Sequence, residues 1–286
     1  MKIITFKPVK VPVLTKSLVE ELLGREGLVH VSLDLGISKI KALVKNNILE
    51  LDSVKIDLTE LSKCIKDENG VYALKDGKFF KIAFFKDGSY YKLRAVSHLT
   101  APTLEINGIH MHRIEGITPW RDAMEKVRLL KVKRCHKVLD VCTGLGYTAI
   151  NSMCKGACEI YTIEKDPNVL EIASYNPWSH KLSDPRVKIV LGNAVDIVRK
   201  LPDNYFDRIL HDPPRFTKVS SELYTIDFYC ELYRVLKPHG RLFHYVGTPG
   251  RRRCKSMIQG VRKRLKIAGF SVLFQDAGGI ICERVL

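Results

Sequence analysis

Apolar and polar residues fall into two different rhythms along this chain. Over roughly the first 110 residues they alternate in short runs, the period-two pattern of half-buried strands. Residues 29–35, 39–45 and 48–56 follow it, with Asn46-Asn47 between the second and third runs. Lys-Asp-Gly turns at 75–77 and 86–88 flank an aromatic run at 79–85, and Asn107-Gly108 separates runs at 103–106 and 109–113. Asp-Gly and Asn-Gly supply the positive φ that tight hairpins need, so residues 1–115 predict a small antiparallel β-rich domain. A helix is predicted over 16–23 and a second over 59–65, with Thr59 as its N-cap. The doubled aromatics of 79–85 predict a β core, with a stacking platform for nucleic-acid bases as the other reading.

From Gly116 onward, apolar strand-length runs alternate with helix-length segments, which predicts α/β architecture over 116–286 with a mostly parallel, doubly wound sheet. Thr118 reads as the N-cap and Pro119 as the first residue of the leading helix. Two closing strands, 270–275 and 279–285, are joined by Asp276-Ala277-Gly278-Gly279 as a hairpin. Trp178 is read as a packing residue, and the runs show no internal repeat.

The richest segment is Val138-Leu139-Asp140-Val141-Cys142-Thr143-Gly144-Leu145-Gly146, a buried strand entering a glycine turn and then a helix. Without Cβ atoms, such a turn lets backbone N–H groups approach a ligand closely. The second strand ends in Glu164, 24 residues after Asp140, where an acid can accept both hydroxyls of a ribose. The third strand runs into Gly192-Asn193-Ala194, the fourth into Asp212-Pro213-Pro214-Arg215-Phe216, and the fifth follows Leu236-Lys237-Pro238-His239-Gly240. His211, just before the acid, is read as a strand-end histidine holding a structural hydrogen bond.

On these motifs, residues 116–286 resemble the class I S-adenosylmethionine-dependent methyltransferases, and the Asp-Pro-Pro loop resembles that of archaeal and bacterial RNA base-amino methyltransferases. The resemblance implies a Rossmann-like seven-stranded domain behind the β-rich one, with an antiparallel last strand. It implies S-adenosyl-L-methionine as cofactor, with Asp140, Thr143, Gly144, Gly146, Thr148, Glu164, Lys165, Asn193 and Ala194 around it. Gly144-Leu145-Gly146 takes the methionine part, Asp140 its amino group, Glu164 the ribose, and Asn193 with Ala194 the adenine edge. Asp212, Pro213, Pro214 and Arg215 are the implied catalytic loop. A carboxylate and the Pro213 carbonyl can accept the two hydrogens of an amino group and favour a pyramidal nitrogen, and Pro214 stiffens the loop. The family usually has an aromatic residue at the fourth position. Here Arg215 can stack as a guanidinium plane and Phe216 can supply the ring. Methylation at cytosine C5 needs a cysteine nucleophile. The loop has none, and Cys230 and Cys254 are the nearest in sequence.

Charge adds a partner. The formal net charge is +16, with eight basic residues and no acid from 251 to 266: Arg251, Arg252, Arg253, Lys255, Arg262, Lys263, Arg264 and Lys266. A second cluster comprises Lys126, Arg128, Lys131, Lys133, Arg134 and Lys137. Clustered cations point to a polyanion, and with the loop they predict an RNA substrate, ribosomal or transfer, bound in part by the β-rich domain. The eight cysteines form no C-x-x-C pair, so they are read as buried apolar thiols and no metal site is expected. With no apolar run of 18 residues and an N-terminal apolar stretch too short for a signal peptide, a cytoplasmic protein is expected. Two glutamines against 27% charged residues lean towards a thermophile.

The sequence therefore predicts a methyltransferase acting on a base amino group, cytosine N4 or guanine N2. Aminopropyl transfer in polyamine synthesis and methylation of a protein glutamine amide stand as alternatives on the same kind of fold. A third reading is an RNA-binding module with a relict cofactor site.

Overall fold

The structure, a computed structural model, describes residues 1–51, 54–217, 220–247 and 252–285, with the backbone alone described at 252–255. Its contacts divide the chain into two units. One comprises Met1–Phe6, Arg121–Leu170 and Lys181–Leu286, the other Lys7–Trp120 and Glu171–His180.

The first unit is built on one eight-stranded sheet. Its strands are β1 (Lys2–Ile4), β2 (Lys137–Val141), β3 (Glu159–Glu164), β4 (Val187–Leu191), β5 (Phe206–His211), β6 (Leu236–Tyr245), β7 (Phe270–Asp276) and β8 (Gly279–Arg284). They lie in the order β1-β4-β3-β2-β5-β6-β8-β7. The five central strands are parallel, while β8 runs antiparallel to β6 and β7. The resemblance implied seven strands. The eighth is β1, which pairs antiparallel with β4 through Lys2↔Leu191 and Ile4↔Ile189. Three residues carry too little periodicity to announce a strand, and β1 exists because β4 offers it an open edge. Strands buried on both faces favour apolar side chains on both, and Val138, Leu139 and Val141 are all fully buried, with Asp140 the polar exception among them.

Six α-helices accompany the strands among the described residues of this part of the chain, besides two short 3-10 helices: α1 (Pro119–Leu129), α2 (Tyr147–Cys154), α3 (Pro167–Ser174), α4 (Ala194–Val198), α5 (Ile226–Val235) and α6 (Arg252–Ile267). The core gathers Phe206, Phe228, Tyr229, Leu232 and Leu242 with Val261 and Leu265 of α6. From β2 the sheet grows one way through β3 and β4, and the other way through β5 and β6. Such a switch of direction opens a crevice over the carboxyl ends of β2 and β5, where open α/β sheets hold their ligands.

The second unit contains three small antiparallel sheets. One joins Gly27–Val31, Ile40–Lys45, Ile48–Leu51 and Val54–Asp57. Another joins Val13–Thr15, Val71–Lys75 and Lys78–Lys81, and the third joins Ala83–Lys86, Ser89–Arg94, Thr103–Ile106 and Ile109–His110. The hairpin turns carry the left-handed backbone their residues favour, with φ of 51° and 72° at Asp76 and Gly77 and 49° and 78° at Asn107 and Gly108.

Three local expectations are corrected. The aromatic run 79–85 is not one core strand but parts of two strands in different sheets, with Phe80 and Phe85 exposed. The second short helix is Leu58–Cys64, and Asp57 caps it rather than Thr59, its Oδ1 accepting from the Glu60 N–H at 2.9 Å. The cysteines are not a set of buried thiols: Cys64, Cys135, Cys154, Cys158 and Cys230 are exposed, and Cys282 is the buried one among those described. A thiol is too small for its burial to govern a position. The second unit also reaches past Trp120 to claim residues 171–180, where the Ser174 carbonyl accepts from the Val9 N–H at 2.9 Å and Lys86 pairs with Glu171 at 2.8 Å. Trp178 packs there as expected, against Trp120 at 4.9 Å, its indole N–H donating to the Leu35 carbonyl at 3.0 Å.

Candidate functional site

The turn after β2 is held in shape by its own backbone. The Thr143 N–H donates to the Ile163 carbonyl at 2.9 Å, and the Gly146 N–H to the Thr143 carbonyl at 2.8 Å. Cys142, Gly144 and Gly146 adopt φ of 75°, 53° and 76°. The two glycines serve different ends. A Cβ on Gly146 would stand 2.5 Å from Cδ2 of Leu182, so Gly146 is required by packing. A Cβ on Gly144 would meet nothing within 4 Å, so its backbone borders open space that a ligand can enter. That open cradle fits a nucleoside cofactor with the residues present.

Two acids frame the turn. Asp140 is fully buried, and its carboxylate accepts from the Thr148 hydroxyl at 2.9 Å and the Thr162 hydroxyl at 2.8 Å. Thr162 also meets Thr143 at 2.7 Å. The resemblance has Asp140 help fix the ligand's amino group. In the structure both of its oxygens brace the turn from beneath, and burial raises its pKa to about 7. Glu164, at the tip of β3, accepts the Gly144 N–H on one oxygen at 2.9 Å. Its other oxygen accepts the N–H groups of Lys165 at 2.9 Å and Asp166 at 3.0 Å, so Lys165 contributes through its backbone. Burial outweighs these three donors and lifts Glu164 to about 7 as well. Asn193 caps α4 by accepting from the Val195 N–H at 2.8 Å, and its amide donates to Glu222 at 2.9 Å. Ala194, buried, opens that helix.

The Asp-Pro-Pro loop leaves β5 beside this turn. The Asp212 N–H reaches the Val141 carbonyl at 3.4 Å. The Asp212 carboxylate is held on Oδ2 by the Lys126 ammonium at 2.6 Å, and the same ammonium meets Asp122 at 2.8 Å. Burial outweighs the pull of the Lys126 ammonium and raises the Asp212 pKa above the usual carboxylate range. The Pro214 carbonyl accepts from the Tyr224 hydroxyl at 2.8 Å, and the Arg215 carbonyl from the Ser220 hydroxyl at 2.8 Å, so the loop is tied down on its far side. Arg215 and Phe216 are exposed, and the Phe216 ring stands edge-on to Tyr224 at 5.3 Å. His211 Nε2 donates to the Leu223 carbonyl at 2.9 Å, the structural bond expected of it. Desolvation lowers its pKa to about 4, which leaves a neutral ring.

Lys126, Tyr224, Glu222 and Cys142 went unnoticed as site residues. Lys126 was counted with a surface cluster of cations, yet it is only 3% exposed. The i, i+4 spacing of Asp122 and Lys126 on α1 was the one available signal. Arg262 and Lys263 are exposed on α6, opposite its buried Ile258, Val261 and Leu265. Arg251 and the side chains of Arg252, Arg253, Cys254 and Lys255 lie outside the described residues.

The family model described as conserved hypothetical protein 95 matches residues 122–243, the stretch that carries the turn, the acids and the Asp-Pro-Pro loop. The structure superposes on spermidine synthase from Thermotoga maritima with a TM-score of 0.54 and 21% identity, covering 72% of this chain and 74% of that one, which shows a shared fold. Polyamine aminopropyltransferase 2 of Aquifex aeolicus is 25% identical over 223 residues, covering 76% of this chain but 42% of that protein. The chain thus spans less than half the length of this aminopropyltransferase. The uncharacterized protein MJ1233 of Methanocaldococcus jannaschii is 43% identical over 263 residues, 90% of this chain and 89% of that protein. At that identity and coverage, the chain belongs to the family of the uncharacterized protein MJ1233.

Proposed function

We propose that the protein is an aminopropyltransferase, moving the aminopropyl group of decarboxylated S-adenosylmethionine to the nitrogen of an aliphatic polyamine. The observation that carries this reading is Asp212, an acid at the carboxyl end of β5 whose carboxylate is held beside the Gly144 turn. The likeness to an aminopropyltransferase over 76% of the chain favours a small amine acceptor over RNA. A bound sulfonium nucleoside supplies an electrophilic carbon that is already activated. The chain's task is then alignment and proton handling. The Gly144 backbone and Glu164 hold the nucleoside, the latter through its ribose hydroxyls. Asp212 accepts an N–H hydrogen of the attacking amine and stabilises the positive charge that develops on its nitrogen. The C–S bond breaks as the N–C bond forms, and the thioether nucleoside leaves.

The test is direct. Purified protein is incubated with putrescine or spermidine and either decarboxylated or intact S-adenosylmethionine, and products are identified by mass spectrometry. An aminopropylated amine is expected, with Asp212→Asn lowering kcat about 10²-fold. An N-methylated amine would keep the acceptor and change the donor. No modified amine from either donor would overturn the reading.

A second reading, methylation of an RNA base amino group with S-adenosyl-L-methionine, draws on one feature. Arg215 and Phe216 are exposed directly after the Asp-Pro-Pro turn, where a base could stack. Label transferred to RNA from cells lacking the gene, and not to amines, would favour it.

A further inference from the structure

The functional reading leaves the buried cation Lys126 unexplained. The residue is 3% exposed, and its ammonium has three close neighbours. These are Asp212 Oδ2 at 2.6 Å, Asp122 Oδ2 at 2.8 Å and the face of the Tyr245 ring, 4.5 Å from Nζ to its centre. Asp122 is itself 1% exposed. Burying three charged groups is costly, and an apolar trio of similar volume commonly serves stability as well or better. The arrangement therefore calls for a role beyond stability. Enclosed by two acids and an aromatic face, Lys126 is not placed to anchor an anionic ligand. What it does hold is one oxygen of Asp212, whose side chain keeps 22% exposure.

We propose that Lys126 is a positioning residue of the transfer site: it locks Asp212 by Oδ2, presents Oδ1 as the acceptor for the N–H of the neutral attacking amine, and leaves the Asp122–Lys126–Asp212 group with one net negative charge to stabilise the ammonium that forms as the N–C bond is made. This deepens the aminopropyltransferase reading and rests on it. The groups facing the trio are Asp122 from α1, Asp140 and Cys142 from the end of β2, Tyr224 from the turn after the loop, and Tyr245 from β6. None of these is a second cation. Removing Lys126 thus deprives Asp212 of the charge that opposes burial, and Asp212 protonates at a still higher pH.

The experiment compares Lys126→Met and Lys126→Arg with the unaltered protein, using putrescine and decarboxylated S-adenosylmethionine. For Lys126→Met the expected result is a fall in kcat of about 10²-fold, with an unchanged KM for the donor. Its acid limb moves to higher pH, and Lys126→Arg restores part of the rate. Should Lys126→Met not fold, Asp122→Asn/Lys126→Met keeps the net charge of the trio and replaces it. A kcat that survives, or an acid limb that stays where it was, overturns the proposal. A second readout needs no turnover: carbon-13 NMR of labelled aspartate carboxyls, with Asp212 assigned by its loss in Asp212→Asn. Asp212 should titrate at a higher pH in Lys126→Met than in the unaltered protein; an unmoved titration overturns the proposal. If no amine is modified at all, the functional reading fails, while this titration still tells whether Lys126 controls Asp212.

Discussion

Cys142 occupies a left-handed backbone position, φ 75°, at the mouth of the glycine turn. Burial and the neighbouring Glu164, Asp212 and Asp140 all push its thiol pKa well up, so it stays protonated and is a poor nucleophile. The carboxyl of Glu164 has the opposite importance, because burial brings its pKa to about 7, inside the working range. A raised carboxyl pKa contributes stability that is fully present below the unfolded value and lost as pH rises through the folded one. Glu164→Gln should therefore match the unaltered protein near pH 4 and gain on it towards pH 8. The expected gain is about 3 kcal/mol at most. Urea unfolding midpoints at a series of pH values check this, and a constant difference would show that Glu164 does not titrate as described. Among single residues, the places of Glu164 at the end of β3, Gly144 in the turn after β2 and Asp212 just past β5 were legible in the sequence, because strand ends and glycine turns carry recognisable residue types. Lys126 was not, because nothing in a run of lysines says which one is turned inward.

At the level of elements, turns were the most readable feature. Asp76-Gly77 and Asn107-Gly108 adopt positive φ because few residues other than Gly, Asn and Asp tolerate it. Strand β1 was the least readable. It is three residues long and owes its pairing to the edge of β4. Deleting Met1–Phe6 bares that edge and removes the buried Phe6. The shortened protein is expected to be less stable by about 3 kcal/mol and to self-associate with rising concentration. Thermal unfolding and light scattering check this, and an unchanged monomer of equal stability would mean that β1 adds nothing to the sheet. The aromatic run 79–85 misled for a related reason. Its alternation fits one strand, and only the partners available on each side divide it between Lys78–Lys81 and Ala83–Lys86.

The whole molecule carries a net charge of +16, and this bears on the choice between acceptors. Long-range repulsion opposes a cationic amine and is screened by salt, whereas RNA binding releases counterions and weakens with salt. Between about 0.05 and about 0.2 M KCl, the KM for putrescine should hold or fall; an RNA substrate would instead lose about 10³-fold in affinity. Steady-state kinetics across that range separate the two, and an amine KM that climbs steeply would count against the proposed acceptor. From its sequence alone this chain determines the succession of strand, glycine turn and helix, the hairpin turns and the acids that end β3 and lead out of β5. Those features follow from local periodicity and backbone sterics, which need no distant partner. Only the tertiary structure decided that β1 closes the sheet, that Asp140 braces the turn from beneath, and that Lys126 lies buried against Asp212. Edges, burial and ion pairs depend on which remote segments meet, and a single chain of letters does not record those meetings.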